Sequence, residues 1–397
     1  ATRLVLGVAS QVKTAAYTQD PGATLGFLVS PDGTHGQLTA DSVNLAGDLQ
    51  LPFSVGPLYP DRLSFSNLVN WTTRTGTFNP IASESLFLAY RQKYGPNSLS
   101  VSQERVPCSA YGQTGNQYAV GAALDSGYAY PAPNAEAVGF YAPLFDIRSS
   151  GDYVDFLDAV SGSTHANALQ ATMYTSQVVN QAVRQRRGPA DGAITVATSA
   201  ERSLRAQALG VWGDADSDRN AAGFDQRTGG VAFGFDDQLS DETLAGLLGA
   251  YLADRIDFKR GSGKTDIDTW QIGAYGQHDA ANWYANGILT FGWNDYDSDR
   301  RVVSSSTSNH AEGHYDGTAF AVYGEAGYKY STAGGITLKP VLGLGYANAD
   351  TDSFTEKGYS PYNLRVKDGS GESLNSRLGV RASLEHQTGN CLLYTSD

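Results

Sequence analysis

From about residue 204 onward the sequence alternates between apolar and polar residues, and this alternation limits what the chain can fold into. The alternating segments are about ten residues long and are separated by polar turns. A period of two is the repeat of a β-strand with two unlike faces, so these segments predict a large antiparallel sheet. No stretch approaches the roughly 18–20 consecutive apolar residues of a spanning helix, which excludes a helical membrane protein.

The two faces of these strands differ in the same way each time. Along residues 282–294, one face carries Phe291 and Trp293, whereas the other carries Thr290 and Asn294. Alternation alone leaves two folds open: a soluble sandwich or lipocalin-like barrel with its charges outside, and an outer-membrane barrel with its charges in the lumen. The repeated separation of ionic from aromatic residues favours the membrane barrel. The ionic residues on the polar faces are Glu325, Lys329, Lys339, Arg377, Arg381 and Glu385.

The composition agrees with an all-β protein. The 397 residues include 45 Gly, 23 Tyr, 15 Phe and 5 Trp but only 2 Cys, as in barrels with aromatic girdles. A net charge of -13 argues against nucleic acid as a partner, because basic side chains have to neutralise the phosphates. Two cysteines build no disulfide framework.

Upstream of the alternating region the sequence has two further zones. Residues 1–126 carry short β-branched and aromatic runs broken by Gly, Pro, Asn and Asp, which predicts β-structure throughout this zone. Residues 152–187 change to helical spacing, and a second helix is predicted over about 164–187. This second helix is polar on most sides, as expected for a helix in water or in a wet cavity.

Both ends of the sequence look cut. Residues 1–10 lack the basic and apolar regions of a signal peptide. Residues 391–397, which begin at Cys391, fit nothing before them and resemble the translation of a sequencing-library adaptor. We therefore expect the natural protein to continue beyond both ends.

The alternating region resembles the translocator domain of autotransporters, the type V secretion family. The similarity covers nearly 190 residues and extends upstream to TGNQYAVGAALD at 114–125, which looks like the family's junction after the passenger stem. Each matching piece is short, and it is their order and spacing that carry the resemblance. The main pieces are ALGVWG at 208–213, GGVAFGFD at 229–236, DTWQIGAY at 268–275, NWYANG at 282–287, EAGY at 325–328, KP at 339–340, FTEKG at 354–358 and SRLGVR at 376–381.

This resemblance implies an all-β fold with three parts and an added tail. Residues 1–126 would be the end of a right-handed β-helix passenger, and residues 127–203 a linker that includes the pore helix. Residues 204–390 would be an incomplete antiparallel outer-membrane β-barrel with about nine of twelve strands, followed by the artefact at residues 391–397. The implied partners are outer-membrane lipid, the barrel assembly machinery and the protein's own passenger segment.

A polar helix in a polar lumen can pair with lumen charges. We expect Arg184, Arg186 or Arg187 to meet Glu325 or Glu385, with Arg377 and Arg381 offsetting neighbouring acids and Lys329 and Lys339 also lining the pore. The alternative is that the three helix arginines lie in water at the periplasmic mouth.

The remaining chemistry is sparse. Some autotransporters cut themselves in the pore helix by cyclisation of an asparagine, and Asn180 is the candidate here, although only one Asn is present where the self-cutting subgroup has a pair. His310 and His314 are four apart in a Ser-, Asn- and Gly-rich stretch, which predicts a surface loop and no metal site. No nucleophile elbow, P-loop or dinucleotide fingerprint is present.

The sequence therefore predicts a non-enzymatic translocator that needs no cofactor. Its barrel would lie in the outer membrane, and its passenger would be presented at, or secreted from, the cell surface. Two other functions stay open, namely an adhesin with a retained β-helix and a hydrolase passenger upstream of residue 1. An ordinary porin would explain neither the helix nor the stem.

Overall fold

The computed structural model divides the chain into two compact units, residues 1–161 with 302–309, and residues 162–301 with 310–397. Only the backbone is described for residues 181–184, 194–197, 304, 307–308, 383–388 and 391–396. The residues described are 2–52, 58–83, 85–184, 194–197, 202–218, 220–304, 307–331, 336–358, 361–388 and 391–396.

The strands of the first unit form two sheets. One has the order β1-β3-β5 and is parallel; the other has the order β2-β4-β6-β8-β7, parallel over its first three strands and antiparallel over its last three. The strands are β1 (Arg3–Leu6), β2 (Gln11–Thr18), β3 (Thr24–Phe27), β4 (Gln37–Leu45), β5 (Asp48–Gln50), β6 (Arg62–Gly76), β7 (Leu88–Tyr94) and β8 (Ser98–Arg105).

Successive parallel strands stack like residues on one another. Leu25 is aligned with Leu49, and Leu38 with Val69, and all four side chains are buried. The turn after β6 needs glycine, because a Cβ on Gly76, where φ is +69°, would lie 2.1 Å from a backbone oxygen. These parallel stacks are what the structure shows; the right-handed β-helix of the passenger stays a prediction.

Three helices complete the first unit, and two of them correct the sequence analysis. The zone predicted to be β up to residue 126 ends in helix α1, which a capping box between Thr114 and Gln117 starts. The helices are α1 (Gly115–Gly127), α2 (Ala135–Phe145) and α3 (Ser150–Val160). Helix α2 lies where no helix was predicted, whereas α3 agrees with the helical spacing that begins at residue 152.

A half-buried carboxylate ties α1 to the end of β8. Asp125 accepts hydrogen bonds from the backbone N–H of Cys108 (2.8 Å) and of Ser109 (3.0 Å), and from the Arg105 guanidinium (3.0 Å). Burial raises the pKa of Asp125, but these hydrogen bonds outweigh it and hold the pKa below its usual value. The helical region after the stem is therefore part of a packed core.

The second unit consists of helix α4 and one large antiparallel sheet. The sheet order is β22-β21-β17-β15-β14-β13-β12-β11-β10-β9, with β16 beside β17 and β19 beside β15. A separate pair, β18 and β20, lies in the connection between β17 and β21. The elements are α4 (Ser163–Arg184), β9 (Ile194–Ala197), β10 (Arg202–Ala215), β11 (Phe224–Ser240), β12 (Thr243–Phe258), β13 (Gly263–Asp279), β14 (Trp283–Ser304), β15 (Thr307–Tyr328), β16 (Tyr330–Ser331), β17 (Ile336–Thr351), β18 (Phe354–Thr355), β19 (Lys357–Gly358), β20 (Arg365–Val366), β21 (Gly369–Thr388) and β22 (Cys391–Ser396).

The structure places a predicted surface loop in a strand. The stretch that contains His310 and His314 belongs to strand β15. Both histidines pair with aspartates of the neighbouring strand β14, His310 with Asp299 (2.6 Å) and His314 with Asp297 (2.9 Å). Polar pairs across two strands stabilise a polar part of a sheet as apolar pairs do elsewhere.

The outer face of the large sheet is apolar. Trp270 (64% exposed), Leu342 (55%) and Leu378 (87%) lie on it, while their sequence neighbours on the other face, such as Thr269 and Gln271, are buried. This arrangement decides between the two folds left open by the sequence, because a soluble barrel would bury its aliphatic face. Among the described residues, no helix combines the length and apolarity needed to cross a membrane.

Candidate functional site

Helix α4 is bound by strands from distant parts of the sheet. Thr175 is hydrogen bonded to Gln226 of β11 (3.0 Å), and two residues later Gln177 accepts a hydrogen bond from Asn375 of β21 (3.0 Å). In the sheet order five strands separate β11 from β21. Strands so far apart reach neighbouring residues of one helix only if the sheet curves around it, so α4 lies within the curve.

The helix meets the sheet through polar groups at its centre. Asp254 of β12 is 4% exposed and accepts hydrogen bonds from Thr175, Gln226 and Thr228. A buried carboxylate is costly unless donors surround it, and here one donor comes from the helix and two come from β11. The carboxylate thus joins α4 to the sheet wall.

Small residues let the part of α4 before Thr175 approach the inner face of the sheet. Ala168 and Ala171 are fully buried in a cluster with aromatic residues of the strands. The Thr172 hydroxyl and the Tyr296 hydroxyl of β14 are 2.8 Å apart. One turn further on, Gln271 of β13 donates to the backbone oxygen of Ser176 (3.1 Å). The polar side chains predicted on this helix therefore include those that contact the inner wall.

Glu325 and Arg381, both predicted to line the pore, form an ion pair. Arg381 of β21 donates to Glu325 of β15 at 3.0 Å, and the hydroxyls of Tyr323 (2.8 Å) and Tyr284 (3.0 Å) donate to the same carboxylate. The Glu325 side chain is 1% exposed. The structure thus pairs Glu325 with an arginine of strand β21, whereas the sequence predicted an arginine of the helix.

The other charged residues predicted to line the pore or to lie on the helix differ in their surroundings. Lys329 follows β15 at a turn, where it pairs with Asp279 and donates to the backbone oxygen of Ala280 (2.8 Å). Lys339 of β17 is aligned with Arg381 across the strand pair. For Arg184 and Glu385 the structure describes the backbone alone, while Arg186 and Arg187 lie outside the described residues.

Asn180 lies against a cavity of about 440 Å³ that Gln177 and Arg377 also line. It is 4% exposed, and its Oδ1 has no hydrogen-bond partner among the residues that the structure describes. The carboxylate of Asp254 is engaged by Thr175, five residues earlier, which is about 7.5 Å along a helix axis. That carboxylate is therefore poorly placed to assist chemistry at Asn180.

Sequence reasoning missed the acid that binds the helix. Asp254 stands in the charged end of an otherwise apolar strand, and its bond to Thr175 spans 79 residues of sequence. The alternation of the strand could have revealed it. Asp254 lies on the same face as Leu252 and Ile256, which are both fully buried, so an inward-facing acid was to be expected there.

Comparisons with known proteins agree with this geometry. The family model described as "Autotransporter beta-domain" matches residues 204–396. The chain is 28% identical over 252 residues to an "Extracellular serine protease" of Serratia marcescens, covering 62% of this chain and 24% of that protein. It is 26% identical over 265 residues to "Outer membrane protein B" of Rickettsia conorii, covering 59% and 16%. The chain thus spans a quarter or less of the length of these relatives.

Among solved structures, the chain is similar to the translocator domain of the autotransporter NalP from Neisseria meningitidis. The two are 19% identical with a TM-score of 0.45, and the match covers 58% of this chain and 74% of that one.

A β-sheet that is apolar outside and curves around a polar helix defines the class of outer-membrane translocators. Residues 204–396 form an autotransporter β-domain. It is located in the outer membrane and serves type V secretion, and the β-domain is a translocator rather than a catalytic domain.

Proposed function

We propose that the β-domain holds its passenger at the cell surface through α4, which stays seated in the lumen and covalently attached to the passenger. The observation that carries this proposal is the pair of hydrogen bonds from Thr175 and Gln177 to strands β11 and β21. A helix held from two sides by buried polar groups resists withdrawal, because leaving would strand those groups without partners.

Retention without cleavage follows from the surroundings of Asn180. Cyclisation of an asparagine needs its side-chain nitrogen to attack its own backbone carbonyl, and an acid nearby to assist. Asp254 is hydrogen bonded to Thr175, which is five residues and about 7.5 Å of helix axis before Asn180, and it accepts two further hydrogen bonds from Gln226 and Thr228. We expect N-terminal sequencing of the surface-bound β-domain to find no new terminus at Asn180 or at the residue after it; a terminus there would show that the passenger is released.

Cross-linking tests the seated helix directly. In full-length protein with Cys108→Ser, the pair Gln177→Cys and Asn375→Cys should be joined by a short bis-maleimide in native outer membranes. The matched control replaces Leu374, which is 80% exposed on the outer face, in place of Asn375. Cross-linking of the first pair well above the control supports the proposal, and equal yields would contradict it.

The partners of the β-domain follow from the same arrangement. The apolar outer face meets outer-membrane lipid, and the lumen meets the protein's own passenger segment. We also propose the barrel assembly machinery as the partner that inserts the sheet, since the edge strands of a spanning sheet need pairing before they enter hydrocarbon. ATP and cofactors have no role in holding a folded helix in a folded sheet.

A further inference from the structure

The connection between β17 and β21 folds onto the first turn of α4. We call its described residues, 352–358 and 361–366, the strap. Its centre is Glu356, a fully buried carboxylate. Glu356 Oε1 is 3.0 Å from Nε2 of His165 in α4, and it accepts a hydrogen bond from Nε of Arg300 in β14 at 2.9 Å. One acid thus joins the strap, the helix and the wall.

The second half of the strap is held by the same two groups. Glu356 Oε2 accepts the backbone N–H of Leu364 at 2.6 Å, and Arg300 donates to the backbone oxygen of Tyr362 at 2.7 Å. The Arg300 side chain is 1% exposed. Burial raises the pKa of Glu356, but the hydrogen bonds from Arg300 and His165 reverse this effect and lower the pKa to about 2. The carboxylate is therefore ionised at any physiological pH.

Stacked rings fix the strap at a second point. Phe354 stacks on Tyr315 of β15 with centroids 4.0 Å apart, and the edge of the His165 ring packs on Phe354 at 4.9 Å. Tyr315 stacks in turn on Tyr296 at 4.6 Å. Gly313 makes room for this column, because a Cβ there would lie 2.6 Å from the Phe354 ring. His165 therefore supplies both a polar and an aromatic contact.

His165 Nε2 donates the hydrogen bond to Glu356, because a carboxylate only accepts hydrogen bonds. His165 Nδ1 is buried and has no hydrogen-bond partner among the described residues. Arg300 already balances the charge of Glu356, so the contact with His165 can form and break without leaving a bare buried charge.

These contacts differ in when they can form. Arg300 and Glu356 both belong to the β-domain, whereas His165 belongs to the helix that enters the lumen with the passenger. On the proposed function, a passenger still in transit would leave the place of His165 without its imidazole. Glu356 would then lack one hydrogen-bond partner, and Phe354 would lack its ring contact with His165.

We propose that the strap is a latch that closes on His165 once α4 is seated, sealing the passenger end of the lumen. His165 and Glu356 are positioning residues for this closure. Trypsin can cut the strap after Lys357 and Arg365, and an open latch exposes these bonds.

The test is the rate of tryptic cleavage within the strap of the full-length protein in isolated outer membranes. His165→Leu removes the hydrogen-bond donor, and His165→Gln keeps an N–H donor. Glu356→Gln removes the carboxylate charge, and Asp241→Asn removes an exposed charge at the turn between β11 and β12 as the matched control. We expect cleavage about tenfold faster in His165→Leu and Glu356→Gln, corresponding to about 1.4 kcal/mol, with His165→Gln closer to the parent and Asp241→Asn unchanged.

Bilayer recordings give a second readout, since an unsealed lumen should show more frequent open events in His165→Leu. Unchanged cleavage in His165→Leu and Glu356→Gln overturns the latch, and so does equal acceleration in all variants, which would report general loosening. If Glu356→Gln fails to assemble, the His165 pair decides, because it leaves the Glu356–Arg300 pair intact. A strap insensitive to His165 alongside a positive Gln177–Asn375 cross-link refutes the latch alone, whereas a negative cross-link refutes the proposed function.

Discussion

Replacing Thr175 with valine removes one hydroxyl from the contact between α4 and the sheet while keeping the shape of the side chain. The hydroxyl donates to Asp254 and accepts from Gln226 at 3.0 Å. Asp254 would keep its hydrogen bonds from Thr228 and Gln226, so the carboxylate is weakened and not orphaned. A hydrogen bond to a charged group contributes about 1.5–3 kcal/mol, and we expect the folded β-domain to lose about 2 kcal/mol.

The assay is urea unfolding of the full-length protein in phospholipid bilayers, followed by the heat-modifiable gel band that marks a folded barrel. The control is Tyr174→Phe, which removes a hydroxyl from a helix residue that is 59% exposed and should change stability by less than about 0.5 kcal/mol. Thr175→Val should shift the unfolding midpoint well below that of the control. Equal midpoints would refute the reasoning that buried polar contacts seat the helix.

Three further perturbations test other parts of the structure. Because the pKa of Asp125 is lowered in the fold, its contribution to the free energy of unfolding is present above about pH 4 and is lost as the pH falls further. Asp125→Asn should therefore destabilise the first unit by about 2 kcal/mol at pH 7 and by little near pH 2, as measured by tryptophan fluorescence during denaturation. Leu378→Lys puts a charge on the lipid face and should cost roughly 2–4 kcal/mol, seen as a smaller folded fraction on heat-modifiability gels. Arg381→Gln should destabilise the β-domain by about 2 kcal/mol in urea titrations, which is less than for a fully buried ion pair because Arg381 is 41% exposed. Adding Glu325→Gln should restore part of this lost stability.

Much of the second unit could be predicted from the sequence because each strand carries its own signal. Successive residues of a strand point to opposite faces, so a sheet with one apolar face places Thr290 inward and Phe291 outward, as the structure does. The same reasoning failed for the stretch around His310 and His314, where both faces are polar and the two histidines pair with aspartates of β14. Charged residues in sequence order do not reveal which of them face one another.

The helices after the stem were harder to predict. Helix α1 has a capping box at Thr114, but its Gly- and Ala-rich sequence carries little helical periodicity, so the β-signal upstream dominated. The helix-binding acids were missed for another reason. Glu356 meets His165 across 191 residues of sequence, and only the curvature of the sheet brings them together.

The measurement that tests the central claim most directly combines heat-modifiable mobility with protease accessibility in the natural full-length protein. A folded β-domain in the outer membrane should migrate faster in unheated samples. On intact cells, protease should reach residues 2–161 and leave α4 protected within the sheet. A soluble species without a mobility shift, or an α4 digested as readily as the first unit, would contradict a membrane barrel that holds its passenger by a seated helix.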